Sequence, residues 1–159
     1  MRNKYGKIFQ NIHTRKFECF LYDPQPNYYD VIQEASNNGY QQSIFTSSVM
    51  LSLMEYFLLK HNTLITEIEF LVEDTDLDKE IDVLLDKMKI NGAYWKILRD
   101  KLSFLSKYDS IDIKKVNITG AEGTGFLLSL QVNGIIVVSE NVYDSVSNEI
   151  TKIMQEVIA

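Results

Sequence analysis

The sequence of 159 residues predicts a single α+β domain built on a mainly antiparallel sheet. Strand-like and helix-like patterns do not alternate strictly along the chain, and its last fifty or so residues have the pattern of three strands followed by a helix. Hydrophobic residues make up 45% of the chain and charged residues 24%, which is typical of a globular protein with one packed core. We therefore expect one domain over residues 1–159, with helices packed on one or both sides of the sheet.

Two strands are predicted at the N-terminus, in KIFQNI and KFECFLYD, because aromatic and aliphatic residues recur in both segments. A turn that contains Pro24 and Pro26 follows. A short helix is then expected, with Asn27 or Asp30 as its N-terminal cap and Gly39 as its C-terminal stop.

A long apolar helix is predicted from Ser43 to His61, since apolar residues recur there at spacings of three and four. It is apolar around so much of its circumference that a homodimer is plausible. The next segment, LITEIEFLVED, switches to a period of two and predicts a strand with one acidic face. The residues expected on its other, buried face are Thr66, Ile68, Phe70 and Val72.

A helical hairpin is predicted in the centre of the chain. In DTDLDKEIDVLLDKMKI, apolar residues form one stripe, acids crowd the first turn, and Lys87 and Lys89 lie in the last turn. Asn91-Gly92 should end this helix. A second amphipathic helix follows at once, with Trp95 in its apolar stripe.

A three-stranded meander and a final helix complete the predicted fold. The strands are expected in SIDIKKVNIT, GFLLSLQV and IIVVSE. Asn133-Gly134 between the last two predicts a two-residue type I′ turn, because both residues tolerate positive φ. Asn141 is the expected cap of the final amphipathic helix, with Asp144 three residues on.

A glycine cluster, Gly120, Gly123 and Gly125, suggests a phosphate-binding loop at first sight. A dinucleotide-binding loop leads from a strand into a helix, whereas the strand-like FLLSLQV follows here. No Gly-Lys-Ser/Thr of a Walker loop occurs in the chain. The cluster therefore predicts a hairpin loop in which glycine supplies positive φ.

An acidic run of nine carboxylates extends from Glu67 to Asp86. Its spacing imitates the start of a calcium loop, but Lys79 and Leu85 stand where an EF-hand needs glycine and a bidentate glutamate. We expect a charged N-terminal turn of a helix, with weak cation binding as the alternative. The candidate metal ligands are Glu73, Asp74, Asp76 and Asp78.

A second candidate site is Asp112-Ile113-Lys114, which has the D-x-K spacing of metal-dependent nucleases. On a strand this spacing places the carboxylate and the ammonium on one face, where they could hold Mg²⁺ or Mn²⁺ and stabilise charge on a phosphodiester. Asp112 and Lys114 are thus the candidate catalytic residues. A further carboxylate would have to come from the Glu73–Asp78 corner.

Nucleophilic catalysis has weaker support in the sequence. Only His13 and His61 could serve as imidazole bases, and neither has a predictable partner. Cys19 is expected to be a small core residue of a strand. Because it is the one cysteine of the chain, it excludes an intramolecular disulfide and fits a reducing, cytoplasmic setting.

The candidate partner-binding residues are three tyrosines, Tyr28, Tyr29 and Tyr40, in polar, turn-like surroundings. Tyrosine is enriched at protein interfaces, because it buries a large area at low entropic cost. The sequence therefore predicts another protein as the partner.

The net charge of −6 is unevenly spread, since residues 1–16 carry five basic residues and no acid. This segment is expected to form an edge strand. Nucleic acid would have to bind through it, because the acidic remainder repels phosphates. No membrane segment is predicted. The most apolar stretch, residues 43–61, has an apolar core too short to span a bilayer and contains Glu55.

Two functions follow as hypotheses. The leading one is a small cytoplasmic binding or adaptor protein, chaperone-, inhibitor- or immunity-like, which acts through protein contact without catalysis or a cofactor. The alternative is a phosphodiesterase or nuclease that depends on Mg²⁺ or Mn²⁺ and uses Asp112, Lys114 and the acidic corner.

Overall fold

The computed structural model describes residues 2–25 and 27–158, so Pro26 of the predicted turn lies outside the described residues. The strands are β1 (Asn3–Asn11), β2 (Phe17–Tyr22), β3 (Tyr40–Gln42), β4 (Thr63–Phe70), β5 (Ile113–Gly120), β6 (Leu127–Gln131) and β7 (Ile135–Ser139). The α-helices are α1 (Tyr28–Asn37), α2 (Ser47–Lys60), α3 (Thr75–Ile90), α4 (Tyr94–Tyr108) and α5 (Tyr143–Ile158). The predicted α+β class is confirmed.

All seven strands belong to one antiparallel sheet, in the order β2-β1-β7-β6-β5-β4. The short β3 pairs with the end of β1, beyond the part of β1 that pairs with β7. The N-terminal hairpin and the C-terminal meander therefore meet at β1 and β7. β2 and β4 are the two edges of the sheet, whereas β1 pairs with β2 on one side and with β7 on the other. The prediction that the basic segment, residues 1–16, forms an edge strand is therefore wrong.

The main core lies between one face of the sheet and helices α2 to α5. Residues at alternate positions of the strands, such as Ile8, Val116, Leu130 and Ile136, are fully buried there, as the period of two requires. α5 packs on β1, β2 and β7, while α2 packs on β4, α4 and α5. α1 lies against β2 and β3 on the opposite face of the sheet.

α2 begins at Ser47, so its predicted start at Ser43 is wrong. The backbone N–H of Ser43 donates to the carbonyl of Ile8, and that of Phe45 to the carbonyl of Val132. These two bonds hold the segment against β1 and the β6–β7 turn. Thr46 then caps the helix, since its hydroxyl accepts the N–H of Val49 at 3.2 Å.

β4 does not keep the predicted strict alternation. A bulge between Ile65 and Glu67 shifts its register against β5, so Ile65 and Ile68 are both buried while Thr66 is exposed. The strand ends at Phe70, and Val72 is 44% exposed instead of buried. The prediction that Thr66 and Val72 lie on the buried face is therefore wrong.

The turn between β6 and β7 is longer than the predicted type I′ turn. The carbonyl of Gln131 accepts the N–H of Gly134 at 2.9 Å, and Gly134 has φ +82° while Asn133 does not have positive φ. This is the pattern of a three-residue connection that ends in a left-handed glycine. The predicted cap of α5 is also wrong, because Asn141 lies in a 3₁₀ turn, Glu140–Val142, and α5 begins at Tyr143.

The glycine cluster forms the predicted hairpin loop between β5 and β6. Gly123 and Gly125 have positive φ, at +88° and +66°, and the next element is β6. Within residues 2–25 and 27–158, no helix is long and apolar enough to cross a bilayer.

Candidate functional site

A cleft of about 610 Å³ lies between the edge strand β4 and the first half of α3. α3 starts soon after β4 ends, and the helix contacts this edge strand. Residues 66–70 of β4 form one wall of this cleft, which we call the β4–α3 cleft. Its charged lining residues are Glu67, Glu69, Glu73, Asp78, Asp82 and Lys114.

The β4–α3 cleft is strongly acidic. Five carboxylates line it against one ammonium group, that of Lys114. Lys115 is a further base on β5, and its Nζ lies 3.9 Å from a carboxylate oxygen of Glu69. A surface of this charge attracts cationic groups and repels phosphates.

Asp112, one of the two predicted catalytic residues, lies outside the β4–α3 cleft. Its Oδ1 accepts hydrogen bonds from the hydroxyls of Ser47 and Ser106, both at 2.8 Å. Ser47 also accepts the backbone N–H of Ile113 at 3.3 Å. The carboxylate thus joins the first turn of α2 to the last turn of α4, and Asp112 is not among the residues that line the cleft.

Lys114 does line the β4–α3 cleft, together with Glu73 and Asp78. The prediction that Asp112 and Lys114 share one strand face is wrong, because β5 begins only at Ile113 and a register shift lies opposite Lys114. The cleft thus holds Lys114 without Asp112.

The remaining predicted metal ligands lie at the start of α3. Asp74 caps the helix, since its Oδ1 accepts the N–H of Leu77 at 3.0 Å, and Asp76 is exposed in the first turn. In the part of the chain that the structure describes, no three histidine, cysteine, aspartate or glutamate side chains come together as a set that could hold a metal ion. Metal binding by Glu73, Asp74, Asp76 and Asp78 stays a prediction.

The three predicted partner-binding tyrosines lie in α1 and β3. Tyr29 is 79% exposed, whereas Tyr28 and Tyr40 are partly buried. Tyr28 packs edge-on against Tyr22, with 5.5 Å between ring centroids, and Tyr40 packs edge-on against Phe20 at 5.0 Å. Two of the three tyrosines therefore help to hold α1 and β3 on the sheet, and their role in partner binding stays a prediction.

The burial of Lys7 is not predicted by the sequence analysis. Lys7 is 1% exposed, its Nζ donates to the carbonyl of Asn133, and the ammonium lies about 6 Å from the rings of Phe9 and Tyr28. Burial lowers the pKa of its amine. The alternation of side chains along β1 does indicate this burial, because Lys7 lies on the same face of the strand as Tyr5 and Phe9. Residues 1–16 therefore do not present all five basic side chains to solvent.

The histidines show one pairing that the sequence could not reveal. Nε2 of His61 lies 3.0 Å from a carboxylate oxygen of Glu149, and the ring stacks on Phe57 and Phe126. Among the described residues, Glu149 is the only side chain that hydrogen-bonds to His61. His13 lies exposed in the turn between β1 and β2.

Cys19 is a poor candidate nucleophile. Its Sγ lies 3.3 Å from the hydroxyl of Tyr143, and burial raises the pKa of the thiol to about 11. A thiol with that pKa stays protonated at neutral pH, whereas nucleophilic attack needs the thiolate.

The thiol of Cys19 should make the protein less stable as the pH rises from about 9 to 11. The unfolded thiol loses its proton near its ordinary pKa of 9.0, while the folded thiol keeps it until about 11. Within that window the folded state holds more protons, so the free energy of unfolding falls as pH rises. We expect Cys19 to contribute a fall of about 2 kcal/mol, measured by urea unfolding across the window.

Cys19→Ser is the matched variant for this measurement, because serine does not titrate there and can still hydrogen-bond to Tyr143. Burial also raises the pKa values of Tyr22 and Tyr143, which acts in the same direction. The lowered pKa of Lys7 acts oppositely, since the unfolded amine then binds the extra proton. Cys19 itself helps to raise the pKa values of Tyr22 and Tyr143, so Cys19→Ser removes that part of their shifts together with the thiol. Equal pH slopes in the variant and the natural chain would therefore contradict the assignment.

Comparison with known proteins finds no matching family model, no similar curated protein and no similar solved structure. The β4–α3 cleft is the strongest candidate site, because it combines an edge strand with concentrated charge.

Proposed function

We propose that this protein is a binding protein that takes up an extended, basic segment of a partner protein in the β4–α3 cleft. The observation that carries the proposal is the free edge of β4. β4 is the last strand of the sheet order, and residues 66–70 form one wall of the cleft. A strand edge of this kind offers backbone N–H and C=O groups with which an added strand can pair.

The charges around this edge support a basic partner. Glu67 and Glu69 lie on β4 itself, and Asp78 and Asp82 face the strand from α3. Lysine or arginine side chains at alternate positions of an added strand would come near these carboxylates, because alternate residues share one face. Complementary charge of this kind raises the association rate and rejects acidic partners.

The geometry also limits the length of the partner segment. The wall formed by residues 66–70 is about 17 Å long at the rise of a strand. A partner segment of about five residues therefore matches it. Backbone pairing would supply affinity, and the carboxylates would supply selectivity.

The test uses a short fluorescent peptide of alternating lysine and valine, with binding measured by fluorescence anisotropy. We expect a Kd of about 1–100 µM, weakening as salt is added because the contacts are ionic and exposed. The same peptide with glutamate in place of lysine should not bind. A version N-methylated at alternate amides should bind at least about tenfold more weakly, since it lacks the donors for strand pairing.

The variant for this test is Glu67→Lys combined with Glu69→Lys, which reverses the charge on the wall of the cleft. We expect it to weaken peptide binding by about tenfold or more. Glu122→Lys is the matched control, because Glu122 is exposed in the loop between β5 and β6, away from the cleft. Equal weakening in both would place binding elsewhere. If the natural chain does not bind the peptide, the proposal is overturned. The acidic side chains of β4 would then serve to keep its free edge from pairing with other chains.

The alternative function, a nuclease or phosphodiesterase dependent on Mg²⁺ or Mn²⁺, keeps one supporting observation. Lys114 lies in the same cleft as Glu73 and Asp78, so an ammonium and two carboxylates face one space. Incubation of DNA with the protein and either ion tests it. Cleavage that disappears in Lys114→Ala, with unfolding unchanged, would overturn a purely binding role.

A further inference from the structure

The backbone N–H and C=O of Ile68 point to the free edge of β4. Ile68 lies opposite Val116 of β5. The carbonyl of Lys114 accepts the N–H of Val132, so Val116, two residues further along β5, also bonds towards β6. An antiparallel pair of residues either exchanges both of its hydrogen bonds or exchanges none, so Ile68 and Val116 exchange none. Ile68 therefore presents both backbone groups to the β4–α3 cleft, which it lines.

Phe70 presents its backbone groups to the same edge. The N–H of Leu71 donates to the carbonyl of Asp112 at 2.9 Å, so the N–H and C=O of the preceding residue point the other way. Ile68 and Phe70 are only 7% and 8% exposed, yet no side chain among the described residues hydrogen-bonds to their edge-facing groups. Backbone groups of buried residues are normally paired. Two such residues with free groups in one cleft indicate a strand as the ligand.

An added strand would have carboxylates on both of its faces. Its residues opposite the two buried residues of β4 would direct their side chains to the face that α3 covers. Asp78 and Asp82 line the cleft from that helix. Its intervening residues would direct their side chains to the opposite, open face of the sheet, where Glu67 and Glu69 lie exposed. Both faces of the added strand would therefore meet negative charge.

Most of these carboxylates are free to take a new partner. Three of the four form no ion pair with any described residue: Glu67, Asp78 and Asp82. Glu69 lies 3.9 Å from Nζ of Lys115, a long contact that is partly exposed to water. The lining of the cleft includes one base, Lys114. The site thus carries more negative charge than its own bases neutralise, and this charge lies on both sides of the free edge.

We propose that the β4–α3 cleft recognises a run of consecutive basic residues, an inference that rests on the strand binding proposed above. Four consecutive residues opposite residues 67–70 would place two side chains beside Asp78 and Asp82, and two beside Glu67 and Glu69. A strand that alternates basic and apolar residues would engage only one of these pairs of acids. The partner is therefore an extended protein segment with about four adjacent lysine or arginine residues.

Two peptides of the same composition test this inference by fluorescence anisotropy. The alternating peptide is Lys-Val repeated four times, and the block peptide has four adjacent lysines flanked by two valines on each side. Their net charges are equal, so non-specific attraction to the acidic protein is matched. We expect the block peptide to bind about threefold to tenfold more tightly at low salt, the effect of two further exposed ion pairs.

The outcomes separate this inference from the proposed function. If the alternating peptide binds as tightly as the block peptide, the run of basic residues is overturned, while strand binding at β4 stands. If neither peptide binds, both proposals are overturned.

A double variant tests the role of the acids on α3. Asp78→Asn combined with Asp82→Asn should weaken binding of the block peptide by about threefold to tenfold. The alternating peptide can shift by one residue and use the acids of β4, so its binding should weaken by no more than about twofold. Asp76→Asn combined with Asp86→Asn is the matched control, because both residues are exposed on α3 outside the cleft. If the control weakens the block peptide as much as the cleft variant does, the inference is overturned.

Discussion

Gly134→Ala should lower the free energy of unfolding by about 3 kcal/mol or more. Gly134 has φ +82°, where an L side chain is strained, and a Cβ added there would lie 2.2 Å from the carbonyl oxygen of Ser43. That oxygen belongs to backbone, so it cannot rotate away. The carbonyl of Gly134 also accepts the N–H of Ile8 at 2.9 Å, so relief of the clash would disturb β1 as well.

Gly123→Ala separates the cost of the left-handed backbone from the cost of the steric contact with Ser43. Gly123 has nearly the same φ, +88°, but an added Cβ would meet nothing within 4 Å. It should therefore show only the cost of the left-handed backbone, about 1–2 kcal/mol. Urea unfolding of both variants gives the difference. Equal losses would mean that the contact between residue 134 and Ser43 does not constrain the fold.

Local patterns in the sequence were sufficient to predict α3 and the meander. The apolar stripe of α3, the acids of its first turn and the cap by Asp74 all act within a few residues of one another. The start of α2 could not be predicted in this way. Ser43 and Phe45 are held by Ile8 and Val132, which are distant in sequence, so tertiary hydrogen bonds override the apolar spacing.

The candidate site was only partly predictable, for the same reason. Composition revealed the acidic run, but the closeness of Lys114 to Glu73 and Asp78 depends on how β4 pairs with β5. The register shift beside Lys114 has no local signature. The burial of Lys7 did leave a signal, since it lies between two aromatic residues of one strand face, but charge alone suggested a solvent-exposed residue.

Asp112→Ala should lower the free energy of unfolding by about 2–3 kcal/mol. It removes the carboxylate that accepts hydrogen bonds from Ser47 and Ser106, at 2.8 Å each. Ser47 is 7% exposed, so its hydroxyl would lose a charged acceptor in a place that water scarcely reaches. Denaturant unfolding measures the loss. Ser106→Ala should cost less, because Ser47 and the carboxylate would keep each other as partners.

Asp112→Asn distinguishes this structural role from a catalytic one. The asparagine amide oxygen can still accept from both serines, so we expect it to recover much of the stability lost in Asp112→Ala; neutral hydrogen bonds are weaker by about 1 kcal/mol. A metal site would need the charge that asparagine lacks. A stable Asp112→Asn protein that had lost a metal-dependent activity of the natural chain would therefore give Asp112 a catalytic role. If Asp112→Asn were as unstable as Asp112→Ala, the negative charge, and not the accepting oxygen, would be what joins α2 to α4.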